Sequence, residues 1–203
     1  MLKYISFGLL GLITAILTGA TILEKMYGSG FAYEEIYTSP FTIVLWCLLT
    51  AVSVTYIIRR HLWKHAATFC LHLSFVLILA GAMVTHLWGE QGRMHLRADS
   101  VSPSCCFKTA DGETCRLPFT VALKEFNLKH YAGTDAPMDY ISTIEICDRG
   151  ERSEATVSMN NIHRHRNYRF YQSGFDRDGL GATLAVSHDP WGIGITYAGY
   201  MLL

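Results

Sequence analysis

The sequence predicts a membrane α + β protein with three transmembrane helices, a partial fourth, and one extracytoplasmic antiparallel β-rich domain. Three observations carry this prediction. Half of the 203 residues are hydrophobic and only 17% are charged, whereas soluble domains carry about 25% charged residues. Four stretches, Tyr4 to Leu23, Phe41 to Ile58, Ala66 to Trp88 and Trp191 to Leu203, contain no Asp, Glu, Lys or Arg. Between the last two, residues 89–190 change from helical to alternating periodicity and are broken by turn-forming residues.

A hydrocarbon core about 30 Å thick needs roughly 20 residues at about 1.5 Å each. The first three stretches are long enough, placing spans at about 4–23, 41–58 and 66–88 in a membrane domain of residues 1–88. Residues 191–203 would cover only about 20 Å and read as the start of a fourth helix. Such a tail fits a piece of a longer protein, or a helix whose last carbonyls find partners in another chain. Lys3 ahead of an apolar run also resembles a signal peptide. That run is longer than a usual h-region, however, and no small-x-small site precedes Glu24.

Lys and Arg near helix ends stay preferentially on the cytoplasmic side. Arg59, Arg60 and Lys64 fill the loop between the second and third spans, so that loop and the N-terminus are expected inside. Glu24 to Pro40, with Glu24, Glu34 and Glu35 against Lys25, is then outside, and so is Gly89 to Pro190. The whole chain balances 17 basic against 17 acidic residues, which gives no basic field for nucleic acid.

Residues 89–190 suffice for one compact domain. Phe119, Val121 and Leu123 alternate with polar or small neighbours, as do Tyr168, Phe170 and Gln172 and, in part, Tyr140, Ser142, Ile144 and Ile146. The turns Asp111-Gly112, Asp148-Arg149-Gly150 and Asp176-Arg177-Asp178-Gly179 separate such runs. A small antiparallel sandwich or open barrel is the simplest architecture. Cys105, Cys106, Cys115 and Cys147 lie here, where disulfides can persist. A structural disulfide of unassigned pairing is expected ahead of a redox role, because vicinal Cys105 and Cys106 lack the C-x-x-C spacing of thiol exchange; a thiol oxidoreductase using that pair stays as a further reading. No C-x-x-C-H occurs, so covalently attached haem is not expected on this chain. Cys47 and Cys70 read as apolar packing residues in their spans.

Ionisable residues inside a span are costly and tend to face the bundle interior. His72 is the leading candidate, about two turns into the third span with Phe69 and Phe75 at helical spacing. A neutral imidazole there can be an axial haem ligand, and aromatic rings can pack on a porphyrin face. Val76, Leu79, Met83 and His86 share its face, because fourteen residues return a helix to within about 40° and separate the two histidines by about 21 Å. The stripe reads either as a path with a ligand near each bilayer surface or as ordinary packing. In the second case His72 hydrogen-bonds a neighbouring helix and His86 sits in the wet interface near Trp88. His163 and His165, alternating with Arg164 and Arg166, are expected to form a solvated basic edge, since no third metal ligand is evident. Trp191 and Tyr197 suit the aromatic interface of a fourth helix.

The run Tyr168-Arg169-Phe170-Tyr171-Gln172-Ser173-Gly174-Phe175-Asp176, then His188-Asp189-Pro190-Trp191-Gly192 and Thr196-Tyr197-Ala198-Gly199-Tyr200, resembles the ResB (CcsB) family. His72-Leu73-Ser74 leading into Leu79-Ala80-Gly81-Ala82, the Gly89/Gly92 pair and Asp139-Tyr140-Ile141-Ser142 add to the likeness. The first two spans match only in hydropathy and placement. The resemblance implies a multi-pass subunit of the system II cytochrome c maturation complex in a bacterial cytoplasmic (inner) membrane. With a ResC (CcsA)-like membrane subunit, it would assist haem transport across the bilayer and attachment to apocytochrome c. It also implies transiently bound haem b and a role for His72 as axial ligand, the one metal contact being through haem iron. His86 gains no role from the resemblance. Family members continue through a complete fourth helix and usually more outer domain, and the tryptophan-rich haem-presenting segment belongs to the partner, so no catalytic residue is expected here alone. The rival reading is a noncatalytic membrane-tethered assembly or scaffold protein that binds partners through its outer β domain. Gly8, Gly11, Gly19 and Gly81 are expected to permit close helix packing.

Overall fold

The computed structural model describes residues 2–100, 102–110 and 112–203, apart from the side chains of Leu2, Ser29 and Glu34. Asp111 of the expected Asp111-Gly112 turn, and the Glu34 side chain of the acidic segment, therefore lie outside the described residues. Two compact units result, Met1–Leu87 with Trp191–Leu203, and Trp88–Pro190.

In the first unit, α1 (Leu2–Tyr27) leads through the short α2 (Ser29–Ala32) and a π-helical turn, Tyr33–Tyr37, to α3 (Pro40–Arg59). The Ser39 hydroxyl accepts the Thr42 N–H at 3.3 Å and Pro40 occupies the first turn of α3, a local start signal of the expected kind. His61, in the left-handed region at φ 49°, ends the α3 exit, and one 3-10 turn, Leu62–Lys64, feeds α4 (Ala66–Trp88). Segments Lys3–Tyr27, Pro40–Arg59 and Ala66–Trp88 are long and apolar enough to cross a membrane. The partial fourth helix is α5 (Gly192–Leu202).

Helix α5 runs antiparallel to α4 at a separation that only glycine permits. A Cβ on Gly81 would stand 2.7 Å from the Thr196 nitrogen, one on Gly192 2.7 Å from the Thr85 nitrogen, and one on Gly199 2.9 Å from the Ser74 carbonyl oxygen. Small residues at such a crossing let two backbones touch. Gly8, Gly11 and Gly19 differ from expectation, since a Cβ on any of them meets nothing within 4 Å. The reason is the side from which α1 is covered: Ile13 and Ala20 are its buried positions.

The second unit is one antiparallel sheet of eight strands: β1 (Glu90–Arg97), β2 (Ser104–Thr109), β3 (Thr114–His130), β4 (Pro137–Asp148), β5 (Glu151–Val157), β6 (His163–His165), β7 (Tyr168–Phe175) and β8 (Gly181–His188). Its order is β5-β4-β3-β2-β1-β8-β7-β6. Five strands meander, and the last three return so that β8 pairs with all of β1, from Glu90↔His188 to Arg97↔Gly181. Of the two expected architectures this is the open barrel. The sheet curls until the Ser142 hydroxyl on β4 donates to Gln172 Oε1 on β7 at 2.7 Å, although four strands separate them in the sheet. Register shifts after Ser104, Leu123 and Gln172 sharpen the bend.

Period-two alternation sends one side of each strand inward. Leu117, Phe119, Val121 and Leu123 of β3 meet Ile144 and Ile146 of β4, Tyr168 and Phe170 of β7, and Leu184 and Val186 of β8 in a single core. Gly92 admits the neighbouring strand, for a Cβ there would lie 2.6 Å from the Phe107 ring. Two-residue hairpins join β4 to β5 and β6 to β7 with both central residues at positive φ: Arg149 and Gly150, then Arg166 and Asn167. That geometry matches the right-handed twist of the strands.

Residues 88–190, expressed alone, should unfold cooperatively in urea. Truncating the fully buried Phe170 to alanine should cost about 3–5 kcal/mol, whereas Arg164→Ala on the exposed side of β6 should stay within about 0.5 kcal/mol.

Candidate functional site

His72 lies half-buried on α4, two turns past the helix start. Its Nδ1 is 2.9 Å from the Thr68 carbonyl oxygen, four residues back. A carbonyl can only accept, so this contact makes Nδ1 the protonated nitrogen and leaves the Nε2 lone pair available to an electrophile or metal. The ring also stacks on Tyr56 of α3, with centroids 5.5 Å apart and planes 23° from parallel. One hydrogen bond and one stacked face hold the imidazole in a single orientation. Phe69 is half-buried on the same helix, while Phe75 is 51% exposed and so available to lipid or a further chain rather than packed inside.

Val76, Leu79 and Met83 continue the half-buried stripe, and His86 at its far end is exposed. Thus the two histidines occupy opposite ends of one helix, and no described side chain is shown joining His86 to a second ligand. The sequence reasoning missed Tyr56 and Thr68. Thr68 could have been found from its i, i+4 spacing to His72; Tyr56 gives no signal without the packing of α3 on α4.

In the β unit, the expected solvated edge at His163 and His165 is corrected. Both side chains point inward with the strand period and only Arg164 between them is exposed. His165 packs edge-on against Phe119, at 4.7 Å between centroids, and its Nε2 lies 2.9 Å from Asp148 Oδ2. Arg166 Nε reaches the same oxygen at 2.6 Å, tying the β6–β7 turn to the end of β4. His163 stacks on Phe170 and buries its Nε2 without a hydrogen-bond partner. Burial, with His165 as a second positive neighbour, pushes the His163 pKa below its ordinary value.

A second network surrounds Arg97, whose guanidinium meets Asp99, Asp176 and Asp178 at 2.9 to 3.0 Å. Hydrogen bonds that it donates to Asp99 and Asp178 hold Arg97 firmly protonated. In return, Asp99 is lowered by Arg97, and Asp178 by the Leu180 N–H and then Arg97. The network sets one guanidinium against three carboxylates, with the His95 Nε2 also 3.0 Å from Asp176, and it clasps the end of β1 to the β7–β8 turn.

All six cysteines are free thiols. The expected disulfide does not form, and the register explains why: Phe107 pairs with Cys115 and Cys106 with Arg116, so Cys106 and Cys115 lie on opposite faces of the sheet. Burial, then Glu90 and Glu113, raise the Cys115 pKa, which favours its inert thiol form. Cys47 is exposed on α3 rather than packed within it, whereas Cys70 is half-buried.

The architecture is that of a multi-pass helical unit whose last two helices are separated in sequence by a barrel-like β domain. The chain belongs to the ResB-like family, whose model matches residues 51–193. It is 24% identical to Protein NrfI of Wolinella succinogenes across 99% of this chain and 33% of that protein. The aligned span is 302 residues long, so the relative carries about a hundred residues within it that have no counterpart among the 203 here. A solved structure, Cytochrome c Heme Lyase CcmF, aligns over 95% of this chain and 32% of its own, with a TM-score of 0.41 and 9% identity. The chain thus spans about a third of the length of both proteins.

The depressed His163 pKa sets a sign for the pH response of the β unit. Below about pH 6.5 the unfolded chain takes up a proton that the folded site resists, so stability falls as pH drops toward the folded-state pKa. Thermal unfolding of residues 88–190 should therefore show a lower Tm at about pH 5 than at about pH 7.5. His163→Gln should reduce that difference.

Proposed function

We propose that this chain is a subunit of the cytochrome c maturation machinery of a bacterial cytoplasmic membrane, and that His72 is an axial ligand for haem b as it crosses. The observation that carries the reading is the Nδ1 contact to the Thr68 carbonyl, which in the neutral ring leaves the Nε2 lone pair of a histidine in a membrane-length helix oriented toward a ligand. Haem iron takes such a nitrogen, and a hydrogen bond on the opposite ring nitrogen fixes the tautomer and raises the ligand's basicity. Membership of the ResB-like family supports the setting.

Haem is cargo in this scheme, and its iron supplies the Lewis acid that imidazole binds. The chain's own residues do the rest. Thr68 orients the ring, Tyr56 covers one of its faces, and the apolar walls of α3 and α4 exclude water. His86 is the candidate second ligand near the other surface, on helical geometry alone. The β domain would meet a ResC/CcsA-like membrane subunit and apocytochrome c outside the membrane, with the N-terminus inside. Attachment to the apocytochrome would be completed by the partner.

The test is the visible spectrum of detergent-purified protein loaded with haem. His72→Ala should weaken or shift the Soret band, and added imidazole should restore it. An unchanged band would remove His72 as a ligand and leave the chain as a tethered scaffold.

A further inference from the structure

No acidic residue occurs between Glu35 and Glu90, yet Arg59, Arg60, His61, Lys64 and His65 crowd the turn from α3 to α4. All five are exposed, and no carboxylate pairs with any of them among the described residues. In the β unit, Arg97, Lys124 and Arg166 each meet a carboxylate; this cluster instead has Trp63, 51% exposed and edge-on to His61, beside it. An uncompensated group of cations beside an apolar helix pair favours an anion.

Its position relative to His72 narrows the anion. Arg59 and Arg60 follow Tyr56 by three and four residues, so they share the face of α3 that carries the ring stacked on His72. On α4, Thr68 precedes His72 by four residues along the His72 face, and Lys64 and His65 lie just ahead of the helix start. The α3 face that meets His72 thus carries two guanidinium side chains about 5–6 Å nearer the turn, and Lys64 lies in the turn itself. An iron porphyrin has two carboxylate arms on one edge and apolar substituents on the rest of its rim. Carboxylates left in hydrocarbon would be costly, and this edge can be satisfied from His72 only toward the turn.

We propose that Arg59 and Arg60, with Lys64, form a carboxylate dock for the two propionates of haem held at His72, so that the porphyrin lies with its propionate edge toward the α3–α4 turn. This rests on His72 being the ligand. Anionic lipid headgroups offer the same chemistry to the same cations, and the experiment separates the two sources.

The full chain in phosphatidylcholine nanodiscs is titrated with haemin and with haemin dimethyl ester, whose propionates are uncharged, and binding is read from the visible spectrum. The native protein should prefer haemin by about tenfold or more, as expected when charge-assisted hydrogen bonds are lost. Arg59→Gln/Arg60→Gln should bind both porphyrins alike, with the Soret position of the native complex. Equal affinities in the native protein, or a preference that survives in the double variant, overturn the proposal. Equal native affinities together with phosphatidylglycerol binding that the double variant loses assign the cluster to lipid and also overturn it. The His72→Ala protein separates the two layers. An unaltered spectrum there removes the ligand reading and this one with it. An altered spectrum, together with equal native affinities, removes the propionate assignment alone.

Discussion

Hydrocarbon offers no hydrogen-bond partner, so a ring with two nitrogens in a membrane-length helix has to be satisfied from within the protein or used. In α4 one nitrogen of His72 is answered by the helix's own Thr68 carbonyl. In the neutral ring the other then presents its lone pair, to which hydrocarbon offers no donor. The Tyr56 ring on α3 keeps the imidazole from rotating away. A second constraint acts along the same helix. From Thr85 to Ser74, α4 and α5 bring their backbones together through Gly81, Gly192 and Gly199, at a distance that a Cβ on any of the three would forbid.

The β unit solves a different problem with water present on one side. Its inward residues form one apolar core, and the polar groups that enter this interior are answered in pairs: Ser142 by Gln172, and His165 and Arg166 by Asp148. These pairs join strands distant in sheet order, so they fasten the curl where no backbone ladder does. Two buried side-chain atoms among the described residues stay without a partner, Asp148 Oδ1 and Nε2 of the half-buried His163, and the second is expected to make the domain sensitive to acid.

Much of this could be read in advance for reasons that are local. The apolar runs at Phe41 and Ala66 fix helices by length and composition, and the inward residues of β3 and β7 announce themselves by period. Turn residues at Asp148-Arg149-Gly150 mark a hairpin that forms where expected. What depended on distant contacts was not legible. Period two gives the sides of β6 but not which side meets Phe119 and Phe170, so His163 and His165 were placed outside. Sheet register decides that Cys106 and Cys115 face apart, and spacing alone carries no register. Glycines in α1 and α4 look alike in sequence, but only Gly81 has a helix laid across it. His72 was visible as a costly residue, whereas its two orienting contacts required Tyr56 and Thr68 to be brought to it.

Pairing of the first strand with the last has a consequence for how such a chain can vary. Because β1 and β8 are neighbours in register from Glu90↔His188 onward, the domain begins and ends side by side, and each end runs within a few residues into α4 or α5. To the helices it is a graft on a single stem. Segments added to or removed from the loops between its other strands would leave that stem where it is.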